Sequence, residues 1–276
     1  MKKPLKKTTI GATLGILFTG ATLLVPGQPF AAGTCPTKAK VRTILKDLPP
    51  EVSIVTVRPV PSLPHWCGVY LRSPMGDLEP LYLHTKHPNV IAEGTFINTD
   101  TQLPLDFEIR LALQKLSPAD LEKLKSLTAF KIGDPQKPTV YLIVDPDCPF
   151  CHALENSLDS AIREGRLHVA VILFPLPIHP QAEDHAVAVA YVARKNPQRA
   201  WEMLLERSFD IPETPSQDEL DRIRDGLQEI ERILSEDLNF QGTPVIVFAD
   251  GRFWLGGLPV HAVLQAAHNN NKTTRR

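Results

Sequence analysis

Cysteine is scarce in this 276-residue chain: four occur, at positions 35, 67, 148 and 151. One pair alone, in "DCPFCH" (147–152), has CxxC spacing, and no second CxxC or paired-histidine motif accompanies it. A structural zinc site is thereby short of its four ligands, and no metal is expected. "CPFCH" also spells the attachment pattern of a c-type haem, with His152 as axial ligand. Such a haem needs a distal ligand and a pocket, yet beyond Met1 the chain offers only Met75, Met203 and scattered histidines. No excess of basic charge is present, the formal net charge being −1, which argues against nucleic acid as a partner. Nor is there a long unbroken apolar run: the most apolar stretch, near the start, is interrupted by glycines, threonines and Pro26 and is short for a span of ~20 residues. No internal repeat is evident.

What the chain does have begins with "MKKPLKKTTIGATLGILFTGATLLVPGQPFAAG", four lysines ahead of an apolar run that ends in small residues at Ala31 and Ala32. This layout predicts a secretory signal peptide over 1–32, and hence export to an oxidising compartment in which cysteine pairs persist, which the resemblance given below narrows to the periplasm. Without those lysines the mature chain is more acidic still.

The mature part divides into segments. "TKAKVRTILKD" (37–47) spaces Val41, Ile44 and Leu45 as one face of a short helix. Strand-like stretches follow at 52–60, 67–73, 81–85 and 89–98, punctuated by Pro and Gly-Asp turns. Together they predict a small α+β module over 33–102, whose core of about 65 residues is marginal by itself. Residues 103–127 carry helical spacings and a restart at "SPADLEKLKSL", with Ser117 as N-cap and Pro118 in the first turn. They read as a helical linker to a second module over 128–268.

That second module holds two apolar runs, "PTVYLIVDPD" (138–147) and "LHVAVILFPL" (167–176), with the marks of strands buried on both faces. Helices are predicted behind "CPFCH", over 184–196 and over 216–238. "PVIVFAD" and "RFWLGG" form a hairpin turning at Gly251, a helix closes the module, and a disordered polar tail is expected over 269–276. The tryptophans Trp66, Trp201 and Trp254 read as packing residues.

The order strand, CxxC, helix places Cys148 at a helix N-terminus, where unpaired N–H groups and the helix dipole favour an anion. A thiolate is such an anion, and cysteines so placed have pKa values lowered into roughly 3.5 to 7.5. Cys148 is therefore the expected nucleophile and Cys151, one turn deeper, the resolving thiol. Pro149 suits the first helical turn because its missing N–H is not needed there. Asp147 would oppose the thiolate by like charge, His152 is either a tuning group or an exposed second-turn residue, and Asp145 is either a buried proton acceptor or a strand-end turn residue. About a hundred residues downstream, "GTPVIVF" leads a buried strand with a Thr243-Pro244 bond of the kind that is often cis.

"VDPDCPFCHALE", the "FP" after the next strand, "KNPQRAW", "GTPVIVF" and "GGLP" together resemble the periplasmic disulfide isomerases DsbC and DsbG, with the "DPxCPxC" spelling and the "GLP" closer to DsbG. The resemblance implies a thioredoxin-like domain with a helical insertion, joined by a linker helix to a cystatin-like dimerisation domain in a V-shaped homodimer. It implies attack by Cys148, resolution by Cys151, and substrate backbone held at Thr243 and Pro244; Pro149 and Phe150, between the cysteines, are candidate groups for tuning the thiolate. No cofactor is implied. The partners implied are exported client proteins with disulfides or oxidised cysteines, and a membrane electron donor of the DsbD type. One departure is that DsbC has a second disulfide in its catalytic domain, whereas the two remaining cysteines here, Cys35 and Cys67, lie in the N-terminal module. A structural disulfide between them is expected to help a small core. Isomerisation or reduction of misformed disulfides, reduction of sulfenic acids, a DsbA-like oxidase and a redox-inert chaperone all share this sequence pattern, and redox potential separates the first three.

Overall fold

A computed structural model describes residues 34–211 and 215–273. The signal peptide expected over 1–32 lies outside the described residues.

The N-terminal module packs helix α1 (Lys38–Ile44) on an antiparallel sheet of β1 (Ser53–Pro59), β2 (Trp66–Arg72), β3 (Leu78–His84) and β4 (Ile91–Glu93), in that spatial order. Thr37 caps α1 by accepting from the backbone N–H of Lys40, as a hydroxyl at that position should. One face of the sheet and the helix close over Val41, Leu45, Val52, Val69, Leu71, Leu81 and Leu83. So small a core holds little free energy. A covalent tie supplements it: Cys35, just ahead of α1, is disulfide-bonded to Cys67 in β2, with Cα atoms 5.7 Å apart.

The C-terminal domain is a five-stranded sheet in the order β11-β10-β8-β9-β7, formed by β7 (Phe130–Gly133), β8 (Thr139–Val144), β9 (His168–Leu173), β10 (Val245–Phe248) and β11 (Phe253–Leu255). β8 and β9 run parallel, joined through α4 (Pro149–Arg163), and the other pairs are antiparallel. Period-2 alternation sorts the side chains: Val140, Leu142 and Val144 enter one core, Tyr141 and Ile143 the other. Both faces are covered, which is why these strands read as unbroken apolar runs. Between β9 and β10 stand three helices, α5 (Ala182–Ala193), α6 (Pro197–Glu206) and α7 (Gln217–Arg232), the last continuing into a π-helical turn at Ile233–Asp237. The alternating segment 184–196 is helical because nearly every alanine and valine in it is buried between α6 and α7 rather than on one face of a sheet.

Two expectations are corrected. Residues 103–127 are not one linker helix: β5 (Ile97–Asn98) pairs with β6 (Leu103–Pro104), and two short helices follow, α2 (Phe107–Leu113) and α3 (Pro118–Ser126). The break between them comes from a long-range pairing, in which Lys115 bridges Arg252, Phe253 N–H donates to Gln114 O, and Leu116 N–H donates to Gly251 O. Gly251 has φ of +86°, and a Cβ there would sit 3.2 Å from Leu116 O, so the approach needs glycine. Nor are these helices a spacer: Phe107 and Leu111 enter one core of the sheet, and Leu121, Leu124 and Leu127 the other. The second correction is to the tail: α8 (Val260–Thr273) takes in 269–273 of the segment expected to be disordered, since extending a formed helix orders only one residue per added hydrogen bond, while 274–276 lie outside the described residues.

A disulfide closing a loop of this length stabilises by about 3 to 4 kcal/mol in the chain-entropy account. Replacing Cys35 and Cys67 by serine is expected to lower the denaturant midpoint of the N-terminal module by a corresponding amount, followed through Trp66 fluorescence. Thiol titration of the denatured, unreduced protein carrying Cys148→Ser and Cys151→Ser is expected to find no free thiol; two would refute the pairing.

Candidate active site

β8 ends at Val144, and the next residues turn the chain into α4. The turn is built on Asp145, whose fully buried carboxylate accepts from the N–H of Asp147 (2.7 Å) and the N–H of Leu176 (2.9 Å) and pairs with His179 Nδ1 (2.7 Å). Its carbonyl accepts from Cys148 N–H at 3.1 Å, and its own N–H points at Cys151 Sγ at 3.5 Å. Cys148 is thus delivered to the N-cap of α4, with Pro149 in the first turn. Of the two readings of Asp145, the structural one describes its contacts.

The antiparallel pairing of Val245 with Ile143 brings the start of β10 to the same end of the sheet. There the Thr243-Pro244 peptide is cis, and Cys148 Sγ lies 3.7 Å from Thr243 O. The Thr243 hydroxyl is buried beside the two sulfurs. Cys148 is 4 % exposed and Cys151 not at all, while Phe150 between them is 72 % exposed.

These surroundings separate the two thiols. The Cys148 thiol is lowered to about 5, first by the Cys151 thiol donating to its sulfur, then by the backbone N–H of Cys151, Thr243 and the N–H of Phe150, against the opposing effect of burial. Burial pushes the Cys151 thiol far up, and its bond to Cys148 adds to the rise. At neutral pH the pair is one thiolate over one thiol, the arrangement a nucleophile with a protonated partner beneath it would need.

Asp147 does not act as expected on the thiolate. Its carboxylate is taken up by His185 Nδ1 at 2.8 Å and Arg207 Nη2 at 3.5 Å, so its charge is spent on neighbours. His185 in turn stacks on Phe209 with ring centroids 4.2 Å apart. His152 faces α6, with Nδ1 at 3.4 Å from Leu204 O, and joins two helices rather than facing the sulfur. Among the described residues no group of three or more His, Cys, Asp or Glu is arranged to hold a metal ion.

One acid near the dithiol escaped the sequence reading. Glu155 is 2 % exposed and its Oε1 has no hydrogen-bond partner. Burial pushes its carboxyl up to about 8, with the Cys148 charge adding to the rise and Arg207 opposing it. The signal was available, because Glu155 stands one turn from Cys151 in the stripe that continues through Leu158 and Ile162. Arg207, His179 and His185 gave no such sign; they arrive from distant parts of the chain.

Residues 130–270, just over half of the chain, match the family described as thioredoxin-like domain. The chain belongs to that family. No curated protein gives a significant match. Among solved structures, a disulfide interchange protein from Neisseria gonorrhoeae is 24% identical over 53% of this chain and 96% of its own, with a TM-score of 0.42. ScsC of Proteus mirabilis in a compact conformation is 18% identical over 61% and 88%, TM-score 0.45, and DsbA2 of Pseudomonas aeruginosa is 19% identical over 51% and 93%, TM-score 0.42. With a lowered Cys148 thiol over a buried Cys151 thiol on a thioredoxin-like domain, the protein is a thiol-disulfide oxidoreductase.

Two titrations follow. In the reduced protein, ultraviolet thiolate absorbance is expected to rise with a midpoint near pH 5, and Cys151→Ala, which removes the strongest donor to the sulfur, is expected to move that midpoint upward. An unmoved midpoint would show that the helix N-terminus acts alone. For Glu155 the folded state holds a proton that the unfolded state releases at an ordinary carboxylate pH, so stability is full below about 4.5 and is lost as pH rises toward about 8. Glu155→Gln is therefore expected to match the wild type in acid and to exceed it by roughly 2 kcal/mol at pH 8, read from urea midpoints. Parallel curves would place the carboxylate in water.

Proposed function

We propose that the protein is a thiol:disulfide interchange protein of the periplasm that isomerises or reduces non-native disulfides in exported clients. The observation that carries this reading is the ionised Cys148 beside Thr243 and Pro244, with Cys151 fully buried behind it. The Cys148 thiolate attacks one sulfur of a client disulfide; a bond forms between them, and the client's other sulfur leaves as a thiolate. That thiolate then attacks elsewhere in the client, and return of Cys148 completes an isomerisation with no net oxidation. Alternatively Cys151, once its proton is lost, attacks Cys148, releasing a reduced client and leaving a Cys148–Cys151 disulfide. The second route consumes two electrons, for which a membrane donor of the DsbD type is the proposed partner. With a sulfenic acid as substrate, the same attack expels the oxygen as water, and Cys151 again resolves.

Thr243 and Pro244 hold client backbone in this scheme, and the exposed Phe150 meets client side chains. The N-terminal module, of cystatin-like type in the DsbC and DsbG resemblance, is proposed as the dimerisation unit of a homodimer enclosing clients. No helix among the described residues is long and apolar enough to cross a membrane.

A second reading, a DsbA-like oxidase, draws support from the Cys148 thiolate itself: stabilising the reduced form makes the disulfide a stronger oxidant. The full chain, mixed with scrambled ribonuclease in glutathione buffer, is expected to restore ribonuclease activity at least tenfold above buffer, and Cys148→Ala to abolish the gain. Rapid oxidation of reduced ribonuclease without unscrambling would establish the oxidase instead. Failure in both assays would remove the redox reading.

A further inference from the structure

Beside the cis peptide lies a cavity of about 420 Å³ whose lining includes Thr243, Pro244, Gln241 and Leu255 of the C-terminal domain and, from the other module, Asp77. Asp77 ends the turn that connects β2 to β3. This turn is held in place by several bonds: Gly76 N–H donates to Ser73 O, Ser73 N–H to Asp77 O, and Asp77 N–H to Ser73 Oγ. Arg72 reaches both Gly76 O (2.8 Å) and Leu113 O in α2 (3.0 Å), and Asn239 Nδ2 donates to Met75 O across the modules. The wall that the N-terminal module contributes is therefore fixed against the domain carrying the dithiol.

Two features of this cavity point to a ligand. Gly242 has neither a left-handed φ nor any heavy atom within 4 Å of where a Cβ would stand, so neither conformation nor packing demands glycine; the missing side chain leaves backbone bare at the rim. Asp77 is the one charged residue of the lining, and among the described residues its carboxylate forms no ion pair, only a contact of 3.3 Å with Ser73 Oγ. An extended chain entering beside Cys148 would thus meet bare backbone and an unpaired negative charge.

We propose that this cavity is a subsite for the client residues flanking the attacked cysteine, and that Asp77 makes it select cationic side chains. The inference rests on the thiol–disulfide reading above and adds a specificity-determining residue from the N-terminal module. Lysine and arginine fit: a long apolar stem can lie along Leu255 and Pro244 while its head reaches Asp77.

The test uses the full chain with Cys151→Ser, so that the first exchange is isolated. Three synthetic peptides differ only by Lys, Gln or Glu beside a cysteine activated as the mixed disulfide with thionitrobenzoate. Cys148 attacks the peptide sulfur, the peptide–thionitrobenzoate bond breaks, and the coloured thiolate leaves, in a step with no net oxidation. The Lys peptide is expected to react about 5-fold faster than the Glu peptide, the size of effect an exposed ion pair supports. High salt is expected to shrink the ratio, Asp77→Asn to bring it near one, and Asp77→Lys to invert it. Equal rates for the three peptides, or a ratio that survives both substitutions in variants shown by circular dichroism to be folded, would overturn the proposal; the second result would move selection to Asp147 or Asp210, around the hollow on the other side of the dithiol. If glutathione disulfide reacts while no peptide does, the subsite is refuted and the redox reading stands. If neither reacts, both fall.

Discussion

The site hangs on a single buried carboxylate. Asp145 is wholly out of water, and a charge so placed persists only if donors surround it. The N–H of Asp147 ties it to the start of α4, and the N–H of Leu176 and the ring of His179 tie it to the loop after β9. Its own backbone meets Cys148 and Cys151. Two chain segments are pinned to one residue, so neither sulfur can move without disturbing a buried bond. The rigidity that thiol exchange needs at its nucleophile is obtained from a group that does not itself react.

Charge around the dithiol is arranged so that Cys148 carries it and its neighbours do not. Asp147 is paired with His185 and Arg207, which keeps a carboxylate next in sequence from opposing the thiolate. Glu155 is handled differently: with no partner for Oε1 and little access to water, it is held protonated by burial. A neutral acid and a paired one leave the donors on Cys148 nearly unopposed, and the Cys151 thiol, donating to that sulfur, is held protonated first by its burial and then by the same contact. Because only the reduced protein contains the depressed thiol, its reduced form gains stability relative to a dithiol of ordinary pKa as pH rises from about 5 toward the ordinary thiol range.

The parts of this arrangement that the chain encodes locally were legible in it. Cys148 and Cys151 announce themselves because strand, CxxC and helix are contiguous, and the Thr243-Pro244 step because proline precedes an apolar run. The burial of β8 and β9 shows in their composition, since covered faces leave no polar alternation. What could not be read depends on partners far along the chain. The break between α2 and α3 shows locally in Ser117 and Pro118, but the pairing with Arg252 and Phe253 that holds it does not. His179, His185 and Arg207 look like ordinary polar residues until the fold brings them to Asp145 and Asp147. Glu155 is the intermediate case: its place in an apolar stripe was visible, but its lack of a partner was not.

Helix α2 decides how the two modules act on each other. Asp106, at its N-cap, accepts from Tyr82 in the N-terminal sheet (3.1 Å), and its last carbonyl, Leu113 O, accepts from Arg72. On its other side, Phe107 and Leu111 sit in the core of the thioredoxin-like domain, and the Arg110 guanidinium lies 4.9 Å over the Trp254 ring. A seven-residue helix has little stability alone, so it exists here because both modules pack on it. Asn239 and Met75 add a second tie near the cis peptide. Two attachments at separated points remove the hinge freedom that a single linker helix would leave, and they set the β2–β3 turn beside the dithiol. In the proposed scheme the N-terminal module is thereby part of the surface that a client meets, and its sequence can shape which disulfides reach Cys148.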